Sequence, residues 1–227
     1  MTDILILGDV HAQPQDIVRQ LELSKHMGYK PEAIIQVGDL GIWKDAIKKF
    51  PRLDIPLYYV LGNHEDYYAE LMIEGLPKCY IHLEPDIITD ICGLKTVGID
   101  GSAYIDQFNT PVGSTIKYDH IKKCIKKRPD VDMIVTHDCP SDIGMRSNFF
   151  GSWDKTEAKW DYVGSELLEE LLIDMKPKLW LFGHHHMDFT VYNNGCHFIG
   201  FEEANDGFGI LDSEYKTVRF ASSVIEK

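Results

Sequence analysis

The chain has 227 residues, of which 44% are hydrophobic and 26% are charged, and its formal net charge is −13. A chain of this size can bury one sizeable core, so we expect a single domain over residues 1–227. The acidic balance disfavours long, non-specific binding of nucleic acid, which needs a basic face. It still allows a nucleotide or a short oligonucleotide at a site where metal ions make the local charge positive.

The sequence also indicates where in the cell the protein is located. No apolar run is long enough to cross a bilayer, and the N-terminal run 4–7 is too short for the apolar part of a secretion signal. The five cysteines are scattered and form no Cys-x-x-Cys motif, which indicates reduced thiols. We therefore predict a cytoplasmic protein that does not contact membranes.

Strand-like apolar runs alternate with helix-like segments along the chain, which predicts an α/β layer fold. The turn Asn193-Asn194-Gly195 indicates a hairpin near the C-terminus. The predicted helices are 15–27, 66–74, 114–127 and 164–175. The predicted strands are 4–7, 33–37, 57–61, 87–89, 95–99, 133–135, 179–182, 189–192, 197–201, 209–212 and 217–220.

Five of these strands end in metal-binding residue types, which is the main functional signal in the sequence. The ligand crevice of an α/β sheet lies beyond the carboxyl ends of its parallel strands, so we expect the five ends to converge. Residues two apart in an extended segment share a side, which predicts that His185 points away from its two neighbours. In chain order the five groups are Asp9 with His11, Asp39, Asn63 with His64, His137, and His184 to His186.

The donors suit two divalent ions, because seven mixed oxygen and nitrogen ligands are too many for one. They are Asp9, His11, Asp39, Asn63, His137, His184 and His186. Two ions about 3.5–4 Å apart clamp a phosphoryl group and turn a bridging water into a hydroxide nucleophile. No thiol lies in these stretches, which disfavours a soft-metal site. We expect manganese, and iron, zinc, nickel and cobalt also accept such ligands.

One long segment, 141–162, shows no periodicity but contains Arg146 and several aromatic residues. A long loop in a compact domain is often functional, so this segment is either a cap over a pocket or a surface excursion that packs its rings on the core. Arg146 is a candidate for contact with phosphate. The histidines at positions 26, 82, 120 and 197 have no such context and are interpreted as ordinary surface or core residues.

In order, the motifs Asp9-x-His11, Gly38-Asp39, Gly62-Asn63-His64-Glu65, His137 and Gly183-His184-x-His186 resemble the calcineurin-like metallophosphoesterase superfamily. The resemblance spans nearly the whole chain and implies a four-layer α/β/β/α sandwich with two metal ions.

The resemblance also implies roles for single residues. One ion would be held by Asp9, His11, Asp39 and His186, and the other by Asp39, Asn63, His137 and His184. Asp39 would bridge the two ions. Both Asn63 and His64 would contact the substrate, and His64 would protonate the leaving oxygen. Glu65 and Asp138 would either orient imidazoles or serve as helix-terminus carboxylates.

The subfamily is less sharply defined. Protein Ser/Thr phosphatases of this superfamily carry an arginine soon after the second motif and another after Gly-Asn-His-Glu, and this chain has neither. The stretches 97–104, 136–140 and 164–172 leading into 176–180 are instead similar to the lariat-debranching branch, although Asp9 stands where some debranching enzymes have cysteine.

These features favour a metal-dependent phosphodiesterase that acts on a nucleotide or a short nucleic acid. A phosphomonoesterase for a small substrate is the first alternative. A non-catalytic scaffold with the same fold is the second, and it predicts eroded ligands or the loss of His64. Neither sign of erosion is present in this chain.

Overall fold

The structure is a computed structural model that describes residues 3–65, 75–105, 107–127, 130–147, 161–212 and 217–221. The described strands form two six-stranded sheets and one two-stranded sheet. The predicted helix 66–74 lies outside the described residues. So does most of the predicted cap segment, because residues 148–160 are not described.

The first sheet has the parallel strands that carry three of the predicted ligand groups. It contains β1 (Asp3–Leu7), β2 (Pro31–Gln36), β3 (Leu57–Tyr59), β4 (Tyr80–His82), β13 (Gly207–Leu211) and β14 (Thr217–Ala221). The spatial order is β14-β13-β1-β2-β3-β4. Strands β1 to β4 are parallel, β13 pairs antiparallel with β1, and β14 pairs antiparallel with β13. The carboxyl ends of β1, β2 and β3 therefore lie at one edge.

The second sheet carries the other two groups. It contains β5 (Thr89–Ile91), β6 (Leu94–Ile99), β7 (Met133–Thr136), β10 (Leu179–Phe182), β11 (Phe189–Asn193) and β12 (Cys196–Gly200). Its order is β11-β12-β10-β7-β6-β5, and the four central strands are parallel. The small third sheet pairs β8 (Arg146–Ser147) with β9 (Asp161–Tyr162).

The two large sheets pack face to face, because their strands are apolar on both sides. In β1, Ile4 and Ile6 join the core between the sheets, whereas Leu5 and Leu7 join the core on the outer face. From the second sheet, Val135 of β7 belongs to the same inter-sheet core. Burying one such side chain contributes about 1.5–3 kcal/mol, so this double-sided pattern favours a central strand over an edge strand.

Helices cover the outer faces of both sheets and complete the four layers. On the first sheet lies α1 (Pro14–His26), which buries Ile17 and Leu21. On the second lie α2 (Tyr118–Lys127) and α3 (Glu166–Met175), which bury residues such as Ile121 and Leu168. The predicted α/β/β/α sandwich is thus confirmed. Within the described ranges, no helix combines the length and apolar character that a membrane crossing requires.

Several predicted boundaries were wrong, for local reasons. The predicted helix 114–127 begins only at Tyr118, because Ser114 and Ile116 exchange backbone hydrogen bonds with Ser102 at 3.1 and 3.0 Å. Strand 57–61 ends at Tyr59, and strand 87–89 is found at Thr89–Ile91. The sequence reading missed three short strands, β4, β8 and β9, which have too few residues to show a periodic pattern.

Candidate metal centre

All seven candidate ligands come together where the parallel strands of the two sheets end. The predicted convergence therefore involves two facing sheets, not one row of neighbouring strands. Five of the side chains belong to buried residues: Asp9, Asp39, Asn63, His137 and His184. The side chains of His11 and His186 are 23% and 43% exposed, so the cluster opens to solvent on their side.

Asp39 lies at the middle of the cluster. Its Oδ2 atom is 3.4 Å from Nε2 of His137, 3.9 Å from Nδ1 of His11 and 4.0 Å from Nε2 of His64. These imidazoles come from loops after β7, β1 and β3, which belong to both sheets. A carboxylate in this position can contact two ions at once, as the predicted bridging role requires.

Asp9 lies beside His11 and His186 in the second part of the cluster. Its Oδ2 atom is 2.9 Å from Nε2 of His186 and 3.8 Å from Nε2 of His11, and those two nitrogens are 3.3 Å apart. On the far side of its ring, Nδ1 of His186 is 3.1 Å from Oε1 of Glu203. A carboxylate behind a metal-ligating imidazole fixes the ring orientation, so Glu203 is a further candidate site residue, which the sequence did not reveal.

Asn63 is held with its amide oxygen towards the centre. Its Oδ1 atom is 2.8 Å from Nε2 of His137, and its Nδ2 group donates to the carbonyl oxygen of Asn109 at 2.6 Å. Because that carbonyl can only accept, the contact fixes which end of the amide faces the cluster. No sequence signal marked Asn109. His184 completes the group, with its ring centroid 4.7 Å from that of His137.

The electrostatics of the cluster fit a cation. Burial lowers the pKa of His137, but the negative charges of Asp39 and Asp9 outweigh burial and raise it to about 10. The site thus stabilises positive charge where the two carboxylates meet. Burial lowers the pKa of His184 to about 3, so its imidazole stays neutral, as a metal ligand must be.

The donor atoms are close enough to share an ion. Among the described residues, Asp9, His11 and His186 offer ligand atoms within 4.8 Å of one another, and so do Asp9, Asp39 and His137. Carboxylate, imidazole and amide groups suit borderline and hard divalent metals. The residues present therefore fit two divalent ions.

The backbone at the ligands differs from the extended form that we predicted. Positive φ angles place His11 (48°), Asp39 (53°), His184 (67°) and His186 (46°) in the left-handed region. The expectation that alternate residues share a side was therefore based on the wrong geometry, even though Asp9 and His11 do meet. Non-glycine residues in this region cost about 1–3 kcal/mol each and cluster at functional sites.

Two glycines make room for the carboxylates. A Cβ atom on Gly62 would lie 2.1 Å from Oδ1 of Asp39, and one on Gly183 would lie 2.4 Å from Oδ1 of Asp9. Contacts this short are not tolerated, so only glycine allows both strand ends to approach the ligands.

The described contacts of His64 leave its ring at the open side of the cluster. Its backbone N–H donates to Oδ1 of Asp39 at 2.8 Å, and its backbone carbonyl accepts from the indole N–H of Trp43. The side chain is 39% exposed. Burial lowers the pKa of His64, and the nearby charge of Asp39 partly offsets this. The histidine thus stands beside the candidate ligands, within reach of a bound molecule.

Two other carboxylates bind groups outside the predicted ligand set. Glu65 accepts backbone N–H bonds from Gly41 at 2.9 Å and Gly62 at 2.5 Å, so it braces the two glycine loops. Asp138 lies 3.1 Å from Nε2 of His185, which turns His185 away from the cluster as predicted. Their contacts connect neighbouring loops and point to a structural role.

Arg146 lies in β8, opposite Tyr162 of β9, and is exposed. Its part in phosphate binding stays a prediction.

Known proteins share both the motifs and the fold. The chain is 26% identical over 216 residues to the lariat debranching enzyme of Schizosaccharomyces pombe, which covers 83% of this chain and 43% of that protein. It is 24% identical over 240 residues to the Entamoeba histolytica enzyme of the same name, covering 86% and 67% of the two chains. The chain thus spans less than half of the first relative and about two thirds of the second.

Solved structures match the fold at low identity. A protein of Thermus thermophilus superimposes with a TM-score of 0.62 at 14% identity, covering 97% of this chain and 98% of that one. An archaeal phosphodiesterase gives 0.51 at 16% identity, with 96% and 99% covered. The Plasmodium inner-membrane-complex anchor GAP50 gives 0.54 at 14% identity, with 99% and 86% covered.

The family itself follows from the sequence match. The family model described as Calcineurin-like phosphoesterase matches residues 2–188, which include every candidate ligand from the first motif to the last. The chain belongs to the calcineurin-like phosphoesterase family.

Proposed function

We propose that this chain, as a single domain over residues 1–227, is a dinuclear metal-dependent phosphodiesterase for a nucleotide or a short nucleic acid. The observation that carries the proposal is the position of Asp39, whose Oδ2 atom faces imidazoles from both sheets at 3.4–4.0 Å. A central carboxylate surrounded in this way is suited to bridging two ions.

The remaining ligands divide around Asp39. The first ion would be held by Asp9, His11 and His186, and the second by Asn63, His137 and His184. When bound, such ions lower the pKa of water to give a nucleophile and offset the charge on the phosphoryl oxygens. His64, beside Asp39 and open to solvent, would contact the phosphate and protonate the leaving oxygen. Asn63 would share the substrate contact.

Two observations favour a diester over a monoester. The chain lacks both arginines of the protein Ser/Thr phosphatases, and relatives with known names include two lariat debranching enzymes and an archaeal phosphodiesterase. Monoester hydrolysis of a small substrate is the alternative. A scaffold role is supported only by the shared fold of the Plasmodium anchor, and the complete ligand set argues against it.

Two further points belong to this proposal. We take manganese as the first metal to test, with iron, zinc, nickel and cobalt as competitors, because the ligands accept all of them. A cytoplasmic location is supported by the five cysteines, all within described residues and all with free thiols.

The test compares bis-(p-nitrophenyl) phosphate with p-nitrophenyl phosphate, using protein reconstituted with manganese or nickel and His64→Asn as the matched variant. We expect faster hydrolysis of the diester and a loss of about 10²–10⁴-fold in kcat for His64→Asn, the range for a general acid. Metal analysis should find two ions in both proteins. Unchanged turnover in His64→Asn would refute the role of that residue, and a preference for the monoester would support the alternative.

A further inference from the structure

A closed loop borders the candidate metal centre. The loop consists of residues 103–113, of which all but 106 are described. Its two ends are held together by a backbone pairing between Ser102 and Thr115. Within the loop, the N–H of Ile105 donates to Oγ1 of Thr110 at 3.0 Å, and Thr110 is buried. Compact loops with paired ends hold a defined shape and are frequently functional.

Two contacts fix this loop to the site. The backbone N–H of Ala103 donates to Oδ2 of Asp138 at 2.8 Å, next to the candidate ligand His137. The carbonyl of Asn109 accepts from the side chain of Asn63 at 2.6 Å. Tyr104 and Phe108 each lie one residue along the chain from one of these anchors, about 3.8 Å between Cα atoms. The backbone of both residues is therefore held beside a group that contacts a candidate ligand or the residue next to one.

Both neighbouring residues present aromatic side chains to solvent. Tyr104 is 67% exposed and Phe108 is 82% exposed. A third ring, Trp43, is 41% exposed, and its indole N–H is committed to the backbone carbonyl of His64. The exposed part of Trp43 is therefore mainly ring carbon. Single exposed aromatics are common. These three differ in that each is tied, through its own hydrogen bond or that of the adjacent residue, to a loop that carries part of the candidate site.

We propose that Trp43, Tyr104 and Phe108 form an aromatic rim that stacks against nucleobases of the substrate while its phosphate lies at the metal centre. This inference rests on the proposed phosphodiester hydrolysis and deepens it, because it assigns the recognised part of the substrate. A base is joined to its phosphate by one sugar, so rings that border a phosphate site are placed to meet bases. Stacking accepts every base, because each has a π face.

The charge of the protein supports stacking over electrostatic capture. With a net charge of −13, the chain as a whole repels a polyanion, so binding through long tracts of phosphate contacts is disfavoured. Stacking does not depend on that charge. The rim thus fits a substrate of one or a few nucleotides, or the exposed end of a longer strand.

The experiment compares two diesters, a dinucleoside monophosphate with two adenines and the same sugar–phosphate diester without bases. Steady-state rates are measured with the manganese-loaded protein, and binding of both compounds is measured in the His64→Asn background. The variants are Tyr104→Ala, Phe108→Ala and Tyr104→Phe. The control is Tyr192→Ala, which removes a ring that is 73% exposed on β11, towards the end of its sheet away from the cluster.

We expect wild type to prefer the base-bearing diester in kcat/KM. Each alanine change should reduce that preference by about 5- to 150-fold, mainly through KM. Tyr104→Phe and Tyr192→Ala should keep it. The preference should appear equally in the binding measurements, which do not need hydrolysis.

The outcomes separate this proposal from the function on which it rests. Base-dependent binding that Tyr104→Ala weakens, without hydrolysis of either compound, would support the rim and refute the phosphodiesterase. Hydrolysis of both compounds at equal efficiency, or a preference that survives both alanine changes, would overturn the rim and leave the phosphodiesterase standing. In that case the rings would serve another contact, such as a protein partner.

Discussion

At the scale of single residues, the candidate site requires its ligand side chains to lie unusually close to one another and to the neighbouring backbone. Four candidate ligands have left-handed backbone, and two glycines leave space that a single methyl group would fill. Such geometry is unfavourable locally, and it persists because the surrounding strands fix both ends of each loop. The chemistry of the site should therefore be more sensitive to small changes in shape than the fold is.

Gly183→Ala tests this sensitivity. Its added Cβ would lie 2.4 Å from Oδ1 of Asp9, so the carboxylate must move away from His11 and His186. We expect metal affinity to fall by about 10–100-fold, the range for losing the support of a ligand. Metal titration and activity both report the change.

The control for that variant is Gly93→Ala, at a glycine with φ of 90° and no atom within 4 Å of the added Cβ. It should cost about 1 kcal/mol of stability through backbone strain and leave metal affinity unchanged. Equal metal affinity in Gly183→Ala and wild type would contradict the assignment of Asp9 as a ligand that needs this space.

At the scale of elements, a partly buried pair of side chains joins the two sheets next to the candidate site. Nε2 of His82, at the end of β4, lies 2.9 Å from Oδ1 of Asp100, which follows β6. The same Oδ1 accepts the N–H of Leu61 at 2.8 Å, and Leu61 leads into the loop that carries Asn63 and His64. The histidine that the sequence reading took for an ordinary one therefore braces this loop.

This brace should be dependent on pH. Burial lowers the pKa of His82, but Asp100, through its charge and hydrogen bond, and Glu84 outweigh burial and raise it above 6.5. The folded state therefore binds the proton more tightly than the unfolded state does. The stabilisation is complete below the unfolded pKa of 6.5 and is lost as pH rises through the folded pKa.

His82→Gln should therefore cost about 1.5–3 kcal/mol of unfolding free energy at about pH 5.5, and distinctly less at about pH 9. Urea unfolding of wild type and variant at both pH values measures the difference. The subtraction isolates His82, because the other titrating groups are common to both proteins. A difference that is the same at both pH values would show that the protonated pair contributes nothing.

Particular elements show what the sequence could and could not predict. The strands β1, β7 and β10 were predicted within one residue, because their apolar runs are continuous and end in glycine or a polar ligand. The candidate ligands followed from those same ends. Asn109 and Glu203 could not be found, since they reach Asn63 and His186 across loops without any periodic pattern. The left-handed backbone of the candidate ligands could not be predicted either. Non-glycine residues rarely adopt this conformation unless the surrounding fold holds them in it, and the sequence pattern does not show that.

At the scale of the whole molecule, the cluster of candidate ligands joins the two halves of the sandwich. Asp9, Asp39 and Asn63 come from the first sheet, and His137 and His184 from the second. The buried carboxylates of Asp9 and Asp39 both act on His137 and concentrate negative charge at this place. The protein as a whole is already acidic. Bound cations would both neutralise this charge and link the sheets.

Metal removal should therefore destabilise the entire fold. A ligand that binds only the folded state at 100 times its Kd adds about 2.7 kcal/mol of stability. For a chain of this size, each kcal/mol shifts Tm by about 2–4 °C, so chelation should lower Tm by about 5–11 °C. Calorimetry of the manganese-loaded and chelated protein measures the shift.

Two variants make that test specific. His64→Asn should keep the full shift in Tm, because His64 stands beside the ligands without belonging to them. Asp39→Asn should lose most of it, because the neutral amide gives up the central negative charge that the imidazoles of both sheets surround. If chelation left Tm unchanged in wild type while activity disappeared, the ions would act in catalysis alone, and the packing between the sheets would hold the ligand loops in place without them.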